Sequence, residues 1–150
     1  MKFLKKAKKS LGQNFLIDNN IINKIINIGG ISKNKTVIEI GAGYGNLTKA
    51  IASADPKKIL AIEKDKKLAL LLKNKFKNYD NIKIINRDVL NIIEEDNLEQ
   101  NIIVFGNLPY NVSTKILASL ILLKKWPPWY EILILMFQKE VAERIIAKTQ

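Results

Sequence analysis

The chain has 150 residues, one domain's worth, and 47% of them are apolar against 26% charged, a composition that supports a buried core and excludes disorder as the main state. It contains no Cys and no His, which excludes a disulfide scaffold, thiol nucleophiles, Ser-His-Asp hydrolysis and zinc-hydrolase chemistry, so no metal site is expected. Lys and Arg number 25 against 14 Asp and Glu, a net charge of +11 that points to a polyanionic partner, although the bias towards Lys, Ile and Asn also fits an AT-rich genome.

Residues 1–19 read as a basic arm. Lys2, Lys5, Lys6, Lys8 and Lys9 suit phosphate contacts, and no apolar segment follows them as it does in a secretory signal. The arm runs into Leu11-Gly12-Gln13-Asn14-Phe15-Leu16. Residues 20–150 read as one domain. Helical spacing predicts a helix over Asn20 to Ile28, ended by Gly29-Gly30. Strands are then predicted at Val37–Ile40, Ile59–Glu63, Ile82–Ile85, Ile102–Phe105 and Glu131–Phe137. Helices are predicted at Leu47–Ser53, Lys66–Phe76, Ser113–Leu123 and Lys139–Lys148. Strands alternating with helices imply right-handed crossovers and an α/β fold, a mostly parallel sheet covered by helices on both faces. The longest largely apolar run, Ile116 to Leu123, is far short of the ~20 residues that span a bilayer. A soluble, cytoplasmic protein is expected.

Ligands of such sheets bind beyond the C-terminal ends of the strands, so the residues after each strand are the candidates. The first strand leads into Gly41-Ala42-Gly43-Tyr44-Gly45, where glycine allows a tight turn and close approach of backbone to a ligand. A dinucleotide fingerprint places its third Gly five residues after the first, where this chain has Asn46; the GxGxG spacing suits an adenosyl ligand without a pyrophosphate better than NAD. Glu63 ends the second strand and is placed to accept from ribose hydroxyls, or else to cap the helix that follows. Asp88 follows the third strand, able to accept from an exocyclic amine or to cap a short helix after it. The fourth strand ends in Gly106-Asn107-Leu108-Pro109-Tyr110-Asn111. Pro109 biases Leu108 towards extended backbone. The Asn107 side chain and the Leu108 carbonyl then offer two acceptors beside an aromatic platform, Tyr110, as a purine amino group requires. Asn111 or Ser113 is also expected to cap the next helix.

These segments occur in order with a sixth, Gln138-Lys139-Glu140-Val141-Ala142-Glu143-Arg144. Together they resemble the ribosomal RNA adenine N6-dimethyltransferases of the KsgA type, and the resemblance covers essentially the whole chain. Gly12-Gln13-Asn14-Phe15-Leu16 ahead of the fold combined with Asn107-Leu108-Pro109-Tyr110-Asn111 is its most specific part. The resemblance implies a Rossmann-like fold that uses S-adenosylmethionine. It implies cofactor contacts at Asn14, Leu16, Gly41, Glu63, Asp88 and Asn107, with Asn107 beside the methyl group. Tyr110 would stack on a target adenine of ribosomal RNA in the small subunit, so that Asn107, Leu108 and Tyr110 form the reacting site.

The family continues with further strands, a second loop against the target base and a helical C-terminal domain, whereas this sequence ends at Gln150. The expectation is therefore an incomplete sheet whose fifth strand, apolar from Ile132 to Phe137, invites self-association. Two other readings are a non-catalytic RNA-binding or ribosome-assembly relative, or an inactive fragment, and a large-subunit rRNA adenine methylase that confers macrolide resistance. An NAD-dependent oxidoreductase is disfavoured by Asn46 and by the Asn107–Tyr110 segment.

Overall fold

Successive residues of a strand point to opposite faces, and the central strands here are apolar on both. The computed structural model describes residues 16, 18–94, 102–108 and 110–147. In chain order its elements are α1 (Asn19–Gly29), β1 (Thr36–Ile40), α2 (Asn46–Ser53), β2 (Lys58–Ile62), α3 (Lys66–Lys75), β3 (Ile82–Ile85), α4 (Val89–Glu94), β4 (Ile102–Asn107), α5 (Ser113–Ile121), β5 (Tyr130–Met136) and α6 (Lys139–Ile146). All four strand pairings are parallel and the spatial order is β3-β2-β1-β4-β5.

Even-numbered residues of the central strands (Ile38, Ile40, Ile62, Ile102, Val104) face α4 and α5 and pack with Ile92, Ile116 and Leu120. Odd-numbered ones (Val37, Ile59, Ile103, Phe105) face α1 and α2 and pack with Ile22, Ile25, Leu47 and Ile51. Leu72 of α3 and Phe76 just beyond it close over Ala61 on that same side. Each aliphatic side chain so buried stabilises the fold by roughly 1.5–3 kcal/mol. This is the α/β sandwich expected from the alternation of elements.

Local chemistry sets the ends. Asp18 caps α1 by accepting from the Asn20 and Ile21 amides, and Gly30 ends it in left-handed conformation at φ 56°. Asp65 caps α3 through the Lys67 and Leu68 amides. Predicted and observed boundaries agree within two residues throughout. β4 runs on through Gly106 and Asn107, because β5 supplies Leu135 and Met136 as ladder partners. α5 stops at Ile121, two residues short of its predicted end.

The chain leaves β1 towards β2 and β3, then returns to place β4 on β1's other side. That reversal makes the C-terminal ends of β1 and β4 the topological switch point, where open α/β sheets bind ligands.

Candidate functional site

The C-terminal edge of the sheet holds a cavity lined by Leu16, Gly41, Glu63, Asp88 and Asn107. Five of the six residues expected to contact a cofactor are thus brought together, from four different strand ends and the segment before α1. The sixth, Asn14, lies outside the described residues, as does Pro109. Across the edge the polar groups follow strand order: Asp88 beyond β3, Glu63 beyond β2, the glycine turn beyond β1, and Asn107 at the end of β4.

Glu63 is buried and does not cap α3, since Asp65 has that task. Its carboxylate instead accepts from two backbone amides, Gly43 N–H to Oε2 at 2.9 Å and Asp65 N–H to Oε1 at 2.8 Å. One side chain thereby ties the glycine turn to the loop ahead of α3. Each oxygen keeps a second lone-pair direction for a ligand hydroxyl. The Asn86 side chain supports the same loop by donating to the Glu63 carbonyl at 2.9 Å.

Asp88 takes the capping role expected of it and adds an ion pair at the cavity wall. Oδ1 accepts from the Leu90 amide at 3.1 Å, capping α4, while Oδ2 pairs with the Lys64 ammonium at 2.7 Å. The hydrogen bond from Lys64 is the main cause that holds the Asp88 carboxyl below its usual range. Asp88 therefore stays an ionised acceptor at the cavity wall, suited to an amino group and unsuited to a carbonyl. Lys64 also lines the cavity. Its pairing was not legible in the sequence, where 24 residues separate the two partners.

Gly41 has φ 76°, and a Cβ there would stand 3.0 Å from the Asn107 carbonyl oxygen. The missing side chain is what lets the turn after β1 lie against the end of β4. We expect Gly41→Ala to lose about 1–2 kcal/mol of stability from the left-handed backbone alone and to push Asn107 out of line. Denaturant unfolding and ligand titration on the same variant would register both effects; a variant as stable and as tight-binding as wild type would remove the structural reason for glycine. Asn46, where the dinucleotide pattern wants Gly, donates from Nδ2 to the Leu16 carbonyl at 2.9 Å and so fastens the segment before α1 over the cavity.

Glu39 was not singled out by sequence reasoning and is the most unusual group in the site. It lines the cavity from β1 yet is only 1% exposed. The Thr48 hydroxyl, itself fully buried, donates to its Oε2 at 2.6 Å. Burial pushes the Glu39 carboxyl up to about 8, against the pull of the Thr48 hydrogen bond and with help from nearby Glu63. The available signal was an acid inside an otherwise apolar strand, Val37-Ile38-Glu39-Ile40, because a buried charge needs compensation.

At the fourth strand the expected acceptors divide. Asn107 is half-buried and lines the cavity. The Leu108 side chain is 5% exposed and packs into the core against α5, which leaves only its backbone carbonyl for a site role. Tyr110 is 48% exposed beside Asn111, which does line the cavity, so its ring is accessible at the rim. The expected cap of α5 is corrected: the capping position is Val112, no side chain caps there, and the Ser113 hydroxyl donates backwards to the Tyr110 carbonyl at 3.3 Å. Ser113 therefore holds the rim loop that carries the ring. Among the described residues no cluster of acidic groups could hold a metal ion, and no helix is long and apolar enough to cross a membrane.

A family model described as ribosomal RNA adenine dimethylase matches residues 4–150. The chain is 54% identical over 143 residues to the ribosomal RNA small subunit methyltransferase A of Pelagibacter ubique strain HTCC1062, covering 95% of this chain and 53% of that protein. It is 44% identical over 151 residues to the protein of the same name from Wolbachia pipientis subsp. Culex pipiens strain wPip, covering 98% and 55%. The chain spans about half the length of the curated relatives it matches. Among solved structures, a dimethyladenosine transferase from Plasmodium falciparum aligns with TM-score 0.74 and 29% identity over 90% of this chain and 47% of that one. The 23S rRNA methyltransferase ErmE aligns with TM-score 0.73 and 26% identity over 87% and 50%. The Rossmann-like fold of this chain is shared with both of these solved transferases. With the strand-end residues gathered around one cavity and the family model spanning the chain from residue 4 onwards, the chain belongs to the ribosomal RNA adenine dimethylase family.

Proposed function

We propose that this chain binds S-adenosylmethionine and carries the methyl-transfer site for N6,N6-dimethylation of adenosines in small-subunit ribosomal RNA, in the cytoplasm, during ribosome biogenesis. The observation that carries the reading is the single cavity that collects Asp88, Glu63, Gly41 and Asn107 in strand order. The donor set fits the cofactor. Asp88, kept ionised by Lys64, suits an adenine amino group; the open lone pairs of Glu63 suit ribose hydroxyls; the glycine turn, packed against the end of β4, brings bare backbone to the cavity. Leu16, fastened by Asn46, closes the cavity from the N-terminal side. Residues 20–150 are then the cofactor-binding domain, and residues 1–19 are assigned, from sequence, the Lys-rich arm for RNA phosphates and, at Asn14, a cofactor contact. The names of the two curated relatives above, which specify the small subunit, favour that substrate over the large subunit.

When bound, the cofactor supplies an electrophilic methyl group. The protein's task is to present the adenine amine. That nitrogen's lone pair is delocalised into the ring, so it is a poor nucleophile while planar. Acceptors at the Asn107 side chain and the Leu108 carbonyl would draw its hydrogens to one side and free the lone pair for in-line attack. The chain has no His, and none is needed, because the alkylated nitrogen sheds its proton readily to water. Positioning and electrostatics supply the rate. Taking the base out of its stack costs a few kcal/mol, and the exposed Tyr110 ring returns roughly 1–3 kcal/mol by stacking.

Calorimetric titration with S-adenosylmethionine tests the cofactor assignment. Tyr110→Ala tests the base platform: we expect cofactor affinity within about twofold of wild type, while methyl incorporation into undermethylated small subunits falls on the order of 5- to 100-fold. Equal losses in both would move Tyr110 from the base to the cofactor. β5 pairs only with β4 among the described residues, so its outer edge is open to a further strand. Sedimentation of the purified chain would read out self-association through it.

A further inference from the structure

The position of Glu39 has a consequence for how the ligand is held. Asp88 and Glu63, beyond β3 and β2, take the adenosine end in the reading above, on which this inference rests. β1 is next in the sheet and β4 follows it. The methionyl end, which carries the sulfonium and the α-ammonium, must therefore cross above β1, where Glu39 lines the cavity. Glu39 is fully buried, and its donors are the hydroxyl and amide of Thr48. No cation is paired with it among the described residues. The nearest charges come from three elements: Glu63 beyond β2, Lys75 on α3, and Lys49 on α2, which acts on Lys75. Glu63 opposes ionisation of Glu39. Lys75 favours it only weakly, because its ammonium donates to the Tyr44 carbonyl at 2.7 Å and is itself pushed down by burial. Lys64 is committed to Asp88. A buried carboxyl without a cation is more stable neutral.

We propose that Glu39 is neutral in the ligand-free protein and releases its proton to solvent as the cationic end of S-adenosylmethionine settles over β1, so that cofactor binding and ionisation of Glu39 are one linked event. The balance is simple: one carboxylic acid and one cationic ligand become one buried ion pair and one solvated proton. No other species is consumed. Glu39 acts as a positioning residue for the cationic end, and Thr48 orients its carboxyl towards the cavity.

Three ligands and two variants test this. With S-adenosylmethionine, wild-type affinity should rise on the order of 30- to 100-fold between pH 5.5 and 7.5. Titrations at pH 7 in buffers of different ionisation enthalpy should show release of about one proton. S-adenosylhomocysteine keeps the α-ammonium and lacks the sulfonium; proton release with it as well supports the ammonium as partner, and release with S-adenosylmethionine alone supports the sulfonium. Adenosine has neither cation and should bind with no proton release. Glu39→Gln keeps an acceptor for Thr48 and should flatten the pH dependence. Thr48→Val removes the hydroxyl that favours the ionised form and should shift the rise to higher pH. Proton-neutral binding by wild type, or a pH dependence that survives Glu39→Gln in a folded variant, overturns the proposal while leaving the cofactor reading intact. No binding of S-adenosylmethionine at any pH overturns both.

Discussion

Replacing Glu63 by Ala should lower the affinity for S-adenosylmethionine by at least 10- to 150-fold, the equivalent of losing roughly 1.5–3 kcal/mol of hydrogen bonding to a charged acceptor. The structure makes this a lower bound. Glu63 also holds the Gly43 and Asp65 amides, so the variant loses the tie between the glycine turn and the loop ahead of α3 as well as the ligand contact. The fold should persist, because both amides face a cavity where water replaces the lost acceptor and the packed layers on either side of the sheet are untouched. Glu63→Gln should be no rescue. Its amide has one accepting oxygen, and its NH2 group would meet either the Gly43 or the Asp65 N–H, donor against donor. Calorimetry of both variants, with thermal unfolding as the control for fold, decides the matter. A folded Glu63→Ala variant that binds as wild type does would remove the ribose assignment.

The layers of this fold were legible because local and global signals agree. β1 and β2 are short, largely apolar runs, as suits strands buried on both faces, and each is followed by a break in the run: Gly41, in left-handed backbone, after β1 and Glu63 after β2. The extent of β4 was not legible. Gly106 and Asn107 have low strand propensity, and they are held in the ladder by Leu135 and Met136, more than 25 residues away in sequence. The misread cap of α5 has a similar origin. Ser113 is a good cap by type, but its hydroxyl is spent on the Tyr110 carbonyl, and only the three-dimensional path of the rim loop decides between those uses.

Within the site, residues placed at strand ends were easier to read than the residues that hold them. Glu63, Asp88 and Asn107 stand at strand ends, where a position rule exists. Asn46, Asn86 and Lys64 have no such rule, since each is defined by a partner 22 to 30 residues away. Asn46 is instructive. As a departure from the dinucleotide pattern it argued only against NAD, whereas in the structure it fastens Leu16 over the cavity. The residue that departs from the dinucleotide pattern is thus one that builds the cavity wall.

Glu39 sets a measurable term in the stability of the ligand-free protein, and its sign is unusual for an acid. Burial pushes the carboxyl up to about 8 from an ordinary 4.5. A raised folded-state value means that the folded chain holds this proton more tightly than the unfolded chain does. The stabilisation is therefore complete below pH 4.5, declines as pH rises, and is gone above about 8. Over that window the wild type should lose about 3–5 kcal/mol relative to Glu39→Gln, whose amide has no proton to give up. At a few degrees per kcal/mol for a chain of this size, the two unfolding midpoints should separate by on the order of 10 °C between pH 5 and pH 9. Other groups titrate in the same range, but they do so in both proteins and cancel in the difference. Ligand reverses the sign. If the cation holds Glu39 ionised, saturating S-adenosylmethionine should protect the wild type more at pH 8 than at pH 5.5, and protect Glu39→Gln by an amount that varies far less with pH. A constant gap between the two unfolding curves across the whole range would show that Glu39 is already ionised in the free protein, and that its buried charge is compensated by a group other than the ligand.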